Sequence, residues 1–258
     1  GESTVKLNVR TDVEFGTNIL KVKVPKQLRN KVKCGVDYID SALGGGGFTP
    51  SAVTLFTGTP GAGKTTMMLK LADSLTRNGA LVVFNTAEES LFQVKLVAER
   101  LNLGAGFTCG GETHVPTLLE KCTALRNKRG NKNKAFFLIV DSLQCMDDGK
   151  YTRKDGSAHI NGGSATRALG LITDYCKEEF TNAIVIGQVN KSGQMAGSNK
   201  LKHMVDAMME LTVEEKDPDL RGCRVLQTVK NRFGGAGATF YLDLNKRGFR
   251  EVARVSAH

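Results

Sequence analysis

The sequence predicts an α/β fold with a mainly parallel central sheet and an antiparallel extension toward its carboxyl end. Three observations predict it. Short, almost wholly apolar runs such as SAVTLFTG and KAFFLIVDS read as strands buried on both faces, as parallel strands are. Amphipathic stretches of helical period separate these runs through the first part of the chain. The last apolar runs follow one another with only turn residues between them, which suits antiparallel pairing.

The 258 residues fit one large core, or a core with a small appendage. Residues 1–33 are polar and lysine-rich around the alternating piece NILKVKVP, and are expected to form an amino-terminal arm or short edge strands; residues 34–258 are expected to form the core. VDYIDSALGGGG, at 36–47, reads as a short helix stopped by glycines. SAVTLFTG follows as the first core strand, and KTTMMLKLADSLTRNG as a helix whose apolar stripe is Met67, Met68, Leu71 and Leu75. ALVVFNT is the second strand. Leu91, Val94, Val97, Ala98 and Leu101 carry a helix over 91–101, and a further helix is expected over 115–128. KAFFLIVDS is the third strand and ends in an acid. Residues 144–163 have loop chemistry in DDGKYTRKDGS and NGG. A helix is expected over 165–180 with Leu169, Ile172, Cys176 and Phe180 buried, then NAIVIGQVN as the fourth strand. KSGQMAGSN breaks the pattern. HMVDAMMELTVEE, GCRVLQTVK, ATFYLDL and RGFREV supply the late strands.

A formal charge of +10 favours a polyanionic partner. Six cysteines, none in a CxxC pair, fit a reducing compartment and argue against a zinc finger or disulfide framework. No apolar run approaches membrane-spanning length and no signal-peptide pattern opens the sequence, so a cytoplasmic protein without membrane contact is expected.

GTPGAGKTT, residues 58–66, matches the Walker A pattern GxxxxGK[ST] and lies between a strand and a helix, the context the motif requires. Gly58, Gly61 and Gly63 let the backbone curl until successive amides face phosphate oxygens, with Thr59, Pro60 and Ala62 completing the turn and Thr66 opening the helix. Lys64 is positioned to neutralise the β- and γ-phosphates of ATP, and the Thr65 hydroxyl to coordinate Mg²⁺. FFLIVDS carries Asp141 to the carboxyl end of a strand, where open parallel sheets place ligand groups, so Asp141 is the second expected magnesium ligand. FNTAEES ends the second strand with Glu88 and Glu89. One carboxylate can orient the attacking water, or both can be solvated acids of a helix's first turn; spacing alone leaves this open.

LGGG with a proline four residues on, the Walker A loop, AEESLFQVKLVAERL, FLIVDSLQ, IGQVNKSGQMAG, LKHMVDAMMEL and VKNRFG occur in this order. In them the chain resembles the bacterial RadA (Sms) family of RecA-like P-loop NTPases over residues 35–253. The resemblance implies a RecA-like core and an ATP-driven, DNA-stimulated motor in recombination, branch migration or repair, with helicase-like action on single-stranded or branched DNA. It implies a homo-oligomer, a hexameric ring or helical filament, that is nucleoid-associated or acts in an infected host cell. It also implies Glu88 as the catalytic glutamate and Asp141 as the Walker B aspartate. A strand-exchange recombinase, or an ATP-switched DNA-binding scaffold or loader, are the alternatives; a KaiC-like signalling ATPase predicts no DNA stimulation. The family's four-cysteine zinc finger and Lon-protease-like domain are not in this sequence, so a trimmed, viral or phage-derived form is expected. The family's usual histidine after the fourth strand is Gln188 here, either a γ-phosphate sensor or a glutamine bonded to backbone.

Two loops are the DNA-facing candidates: one with Lys150, Tyr151, Arg153, Lys154 and His159, the other with Lys191, Ser192, Gln194, Asn199, Lys200 and Lys202. Cations and small hydrogen-bonding groups suit phosphate contact, and Tyr151 can stack on a base; solvated loops have the same composition. The cluster Arg126, Lys128, Arg129, Lys132 and Lys134 reads as a solvated helix end. In VKNRFGGAG, Lys230 and Arg232 are either solvated residues of a turn or, by the resemblance, cations that reach a neighbouring subunit's nucleotide or DNA, Lys230 being the stronger γ-phosphate candidate.

Overall fold

The structure, a computed structural model, describes residues 13–190, 194–236 and 238–256. Its strands are β1 (Val53–Gly58), β2 (Leu81–Thr86), β3 (Thr108–Gly110), β4 (Phe136–Asp141), β5 (Asn182–Gln188), β6 (Ala207–Val213), β7 (Arg224–Asn231), β8 (Thr239–Asn245) and β9 (Gly248–Val255). Among the described residues they form one sheet in the order β3-β2-β4-β5-β1-β6-β7-β8-β9. Pairing is parallel from β3 through β6 and antiparallel from β6 to β9. The helices are α1 (Asp37–Ala42), α2 (Lys64–Arg77), α3 (Leu91–Arg100), α4 (Val115–Arg126), α5 (Ser164–Glu179) and α6 (Ser198–Met204).

Burial on both faces explains the continuous apolar strands. Phe56, Phe84, Phe137 and Ile139 pack on one face with Met67, Met68, Leu71 and Leu75 of α2, so the stripe expected for that helix is buried. Leu55, Leu138, Val140 and Val185 pack on the other face with Leu118 and Cys122 of α4 and Leu169, Ile172 and Cys176 of α5. Each such side chain contributes at most about 1.5–3 kcal/mol.

Four local expectations differ. Residues 1–12 of the expected arm lie outside the described residues; residues 13–33 hold two short 3-10 turns, Ile19–Lys21 and Lys26–Leu28, and an isolated bridge, Val32 to Phe48, where edge strands were an alternative. Glu179 ends α5, and Phe180 is a half-buried left-handed cap (φ 55°) outside the buried stripe. His203 and Met204, read as the start of a strand, end α6, and β6 begins at Ala207. The three-residue edge strand β3 carries too short an apolar signal to be read from sequence.

Asp206 explains how the late strands dock. Its buried carboxylate accepts from the Val53 amide at 2.8 Å and from Lys177 Nζ at 2.9 Å on one oxygen, and from Arg232 at 3.0 Å on the other. Two cations and an amide offset a desolvation cost that an isolated buried carboxylate could not bear.

Candidate functional site

The register of four adjacent strands assembles the site. Thr86 lies beside Asp141, Asp141 beside Ile186, and Gly58 beside Gln188. The Walker A loop, Glu88, Asp141 and Gln188 therefore all leave the carboxyl ends of β1, β2, β4 and β5, where parallel strands place ligand groups. The loop turns through Gly61 and Gly63 at φ 79° and 99°, conformations that a side chain rarely adopts. At Gly63, the N-cap of α2, a Cβ would also sit 2.8 Å from the Phe249 ring. The loop runs into the 14-residue helix α2, whose unpaired amides and positive end favour an anion.

Thr65 Oγ1 donates to Asp141 Oδ2 at 3.1 Å, bringing the two expected magnesium ligands together. Both are hard oxygen donors. No group of three or more His, Cys, Asp or Glu that could hold a metal occurs among the described residues. Magnesium bound through one or two protein oxygens, waters and substrate phosphates needs no such cage. Burial, and then the Glu88 charge, push the Asp141 carboxyl up to about 6. Glu88 and Glu89 are exposed at the mouth of the site. Gln188 Nε2 donates to Glu88 Oε1, so the amide and the glutamate act as one pair.

This electrostatic cost is measurable in the free protein. An aspartic acid that titrates near 4 when unfolded and near 6 when folded keeps its full stabilising contribution below the lower value and loses it as pH rises through the higher. Asp141→Asn, which still accepts from Thr65, is expected to stabilise nucleotide-free protein at pH 7.5 by on the order of 1–3 kcal/mol, read as a higher melting temperature. The difference should vanish below pH 4 (roughly the unperturbed carboxyl value). Thermal melts of both proteins across that range test this, and an equal melting temperature at pH 7.5 refutes it.

Three contributors were missed by sequence reasoning. Gln144, just past β4, accepts from the Gln188 amide at 2.9 Å and donates to its carbonyl at 3.2 Å, fixing the backbone that carries Gln188. Arg224 of β7 donates to the Gly61 carbonyl at 3.2 Å, and Phe249 of β9 closes over Gly63. The antiparallel extension thus buttresses the phosphate loop.

The described residues of the DNA-loop candidates are tied to their neighbours. Tyr151 to His159 form a small hairpin closed by the Thr152–Ala158 bridge, which leaves Lys150, Arg153 and Lys154 exposed. Tyr151 stacks under Arg167 at 5.0 Å, and Arg167 is ion-paired to the buried Asp148. Lys191 and Ser192 lie outside the described residues. Gln194 is tied to Asn190 through backbone and side chain, while Asn199, Lys200 and Lys202 lie on α6; Gln194, Asn199 and Lys202 line one cavity with Thr57 and Glu210.

Lys230 and Arg232 sit elsewhere. Lys230 pairs in register with Met208, three residues short of Leu211, the partner of Gly58. Its Nζ donates to the Lys202 carbonyl at 2.9 Å, and burial together with the Arg232 charge lowers its pKa. Arg232 is committed to Asp206. Both lie toward the end of β6 away from the subunit's own phosphate loop, out of its reach.

The sheet, the loop and the carboxylates define the nucleotide-binding core of a P-loop ATPase. Residues 32–109 match the family model "ATPase: KaiC". At low identity the chain is homologous to bacterial proteins described as DNA repair protein RadA. It is 29% identical to that of Aquifex aeolicus over 233 residues, 90% of this chain and 48% of the relative. It is 32% identical to that of Mycobacterium tuberculosis over 208 residues, covering 78% and 39%, and 32% identical to that of Rickettsia felis over 255 residues, covering 98% and 53%. The chain spans about half the length, or less, of these relatives. Its fold is shared with a DnaB-like replicative helicase (TM-score 0.70, 15% identity, 85% of this chain and 62% of that one). It is shared equally with a solved ATPase domain that the chain spans almost entirely (TM-score 0.70, 15% identity, 87% of this chain and 93% of that one). Among the described residues no helix is long and apolar enough to cross a membrane.

Proposed function

We propose that this chain is a DNA-stimulated ATPase motor acting in recombination, branch migration or repair, working as a ring or filament of identical subunits on single-stranded or branched DNA. The observation that carries this reading is the Glu88–Gln188 pair. Gln188 ends β5, its amide holds the glutamate placed to activate water, and the next residues enter a candidate DNA loop. Any DNA-driven shift of that loop moves the hydrogen bond that orients Glu88. With nucleotide bound, Lys64 and the loop amides would hold the phosphates, Thr65 and Asp141 would hold magnesium, and Glu88 would orient the water. Magnesium would supply charge neutralisation at the β- and γ-phosphates.

A second reading, an ATPase uncoupled from DNA, is favoured by the match to the KaiC family model. One experiment separates them: ATP turnover with and without single-stranded and forked DNA, with complex size measured on the same samples. The motor reading expects DNA to raise turnover and to stabilise the assembly, and Lys64→Ala to abolish both turnover and nucleotide-dependent assembly. Turnover and assembly indifferent to either DNA would overturn it in favour of the second reading.

A further inference from the structure

The structure assigns a second polyanion site at the pole of the sheet opposite the phosphate loop, where a groove holds a nucleic-acid backbone by its phosphates. The groove, about 550 Å³, forms where three segments converge: the arm's second turn with Lys26, Gln27 and Asn30, the α4–β4 loop with Lys132 and Lys134, and the α5–β5 turn. A second depression of about 390 Å³, lined by Asn127 and Arg129, shares Lys132 and Asn133 with it and extends it along the loop. Both lie at the amino-terminal ends of β4 and β5. The strand β4 runs from Phe136 in the groove to Asp141 at the opposite end, about 16 Å at 3.3 Å per residue.

Charge and preorganisation both point to an anionic ligand. The groove has one acid, Glu179, and Arg126 consumes it: the guanidinium donates to Glu179 Oε2 at 3.2 Å and to the Glu179 carbonyl at 3.1 Å while lying over the Phe136 ring. Lys26, Lys128, Arg129, Lys132 and Lys134 have no carboxylate within ion-pair distance among the described residues. Concentrating unpaired cations costs self-repulsion that nothing in the fold offsets. The loop is nevertheless pinned: Asn131 Nδ2 donates to the Leu125 carbonyl at 2.9 Å, and backbone bonds run from Asn131 to Lys128 and from Lys134 to Asn131.

The chemistry selects a nucleic-acid backbone. Cations alternate with the neutral amides Gln27, Asn30, Asn127 and Asn133, the mixture that serves phosphate and sugar. The two aromatics that line the groove offer no exposed ring for base stacking, Phe136 being buried under Arg126 and Phe180 half-buried, and no exposed large apolar side chain lines it to enter a lipid surface. The site is separate from the loops that follow β4 and β5 and does not depend on their role. Its distance from the phosphate loop makes its binding independent of nucleotide.

The test uses the full chain carrying Lys26→Gln, Lys132→Gln and Lys134→Gln. Anisotropy of a labelled single strand is titrated from about 50 to 200 mM salt, the range over which phosphate contacts are lost. We expect weaker binding at low salt and a log K against log salt slope shallower by about 2, from three contacts at about 0.7 each. DNA-free ATP turnover and the melting temperature should be unchanged, and the slope change should be the same with and without nucleotide. Should the triple variant lose its thermal transition, Arg129→Gln probes the extension of the same groove, with the slope shallower by about 0.7. An unchanged slope in a folded variant overturns the site. So does a variant that keeps nucleic-acid binding but loses binding to phosphatidylserine vesicles. Loss of DNA stimulation on Lys150→Ala/Lys154→Ala, with the slope change of the groove variant intact, would locate motor coupling and polar anchoring on different surfaces.

Discussion

Glu88→Gln is expected to bind nucleotide and DNA as the parent does and to lose turnover by about 10²–10⁴-fold, the usual worth of a positioned general base. The geometry makes this substitution clean. Glu88 is exposed at the end of β2 and supports no packing, so its removal leaves the fold unstrained. Asp141, Thr65 and the phosphate loop remain in place, and the amide side chain can still meet Gln188. What disappears is the carboxylate able to accept a proton from water. It also removes the like charge that helps to hold Asp141 up to about 6, so the aspartate should ionise at lower pH in the variant. Nucleotide affinity from fluorescence titration and turnover from phosphate release check the two halves separately. Turnover close to the parent's would assign the water-orienting role elsewhere, with Glu89 the next carboxylate in sequence. Loss of binding and turnover together would make Glu88 part of the binding site.

The parts of this site that could be read from sequence are those whose chemistry is local. GTPGAGKTT states its backbone geometry in consecutive residues, and the acid that closes FFLIVDS marks a strand end without help from the rest of the chain. What could not be read depends on residues brought together by the sheet order. Gln144 clamps Gln188 from the turn after the neighbouring strand, Arg224 reaches Gly61 across the sheet, and Phe249 closes over Gly63. None carries a spacing signal. The same holds for the basic run after α4. Taken alone it reads as a solvated helix end, and only the approach of Lys26, Gln27 and Asn30 from the arm turns it into one wall of a groove. Helix α6 was hidden for a different reason. Its seven residues are polar on most positions, with Leu201 the one buried side chain, too little apolar periodicity to separate it from a loop.

Mixing Lys230→Ala subunits with Glu88→Gln subunits is expected to restore DNA-stimulated turnover that neither protein has alone. The reasoning starts from where Lys230 lies. It sits on β7 beside Met208, three positions along β6 from the residue next to Gly58, and its ammonium is occupied by the Lys202 carbonyl. In its own subunit it cannot reach a γ-phosphate. Its contribution to hydrolysis, if it is the cation the resemblance implies, must be made to a neighbour across a head-to-tail contact. There it would stabilise transition-state charge, an effect worth about 10³–10⁵-fold where an arginine supplies it. Arg232, locked to Asp206, serves to hold the strand end from which Lys230 projects. In a heterologous assembly of that kind each active interface would take Glu88 from one subunit and Lys230 from the next. Random one-to-one mixing therefore leaves about a quarter of interfaces with both residues intact. Turnover of the mixture should approach that fraction of the parent rate, and single-variant samples at the same total concentration should stay near background. A mixture no more active than its components, with assembly shown by light scattering, would remove Lys230 from the trans role and leave it as a cap on the end of α6.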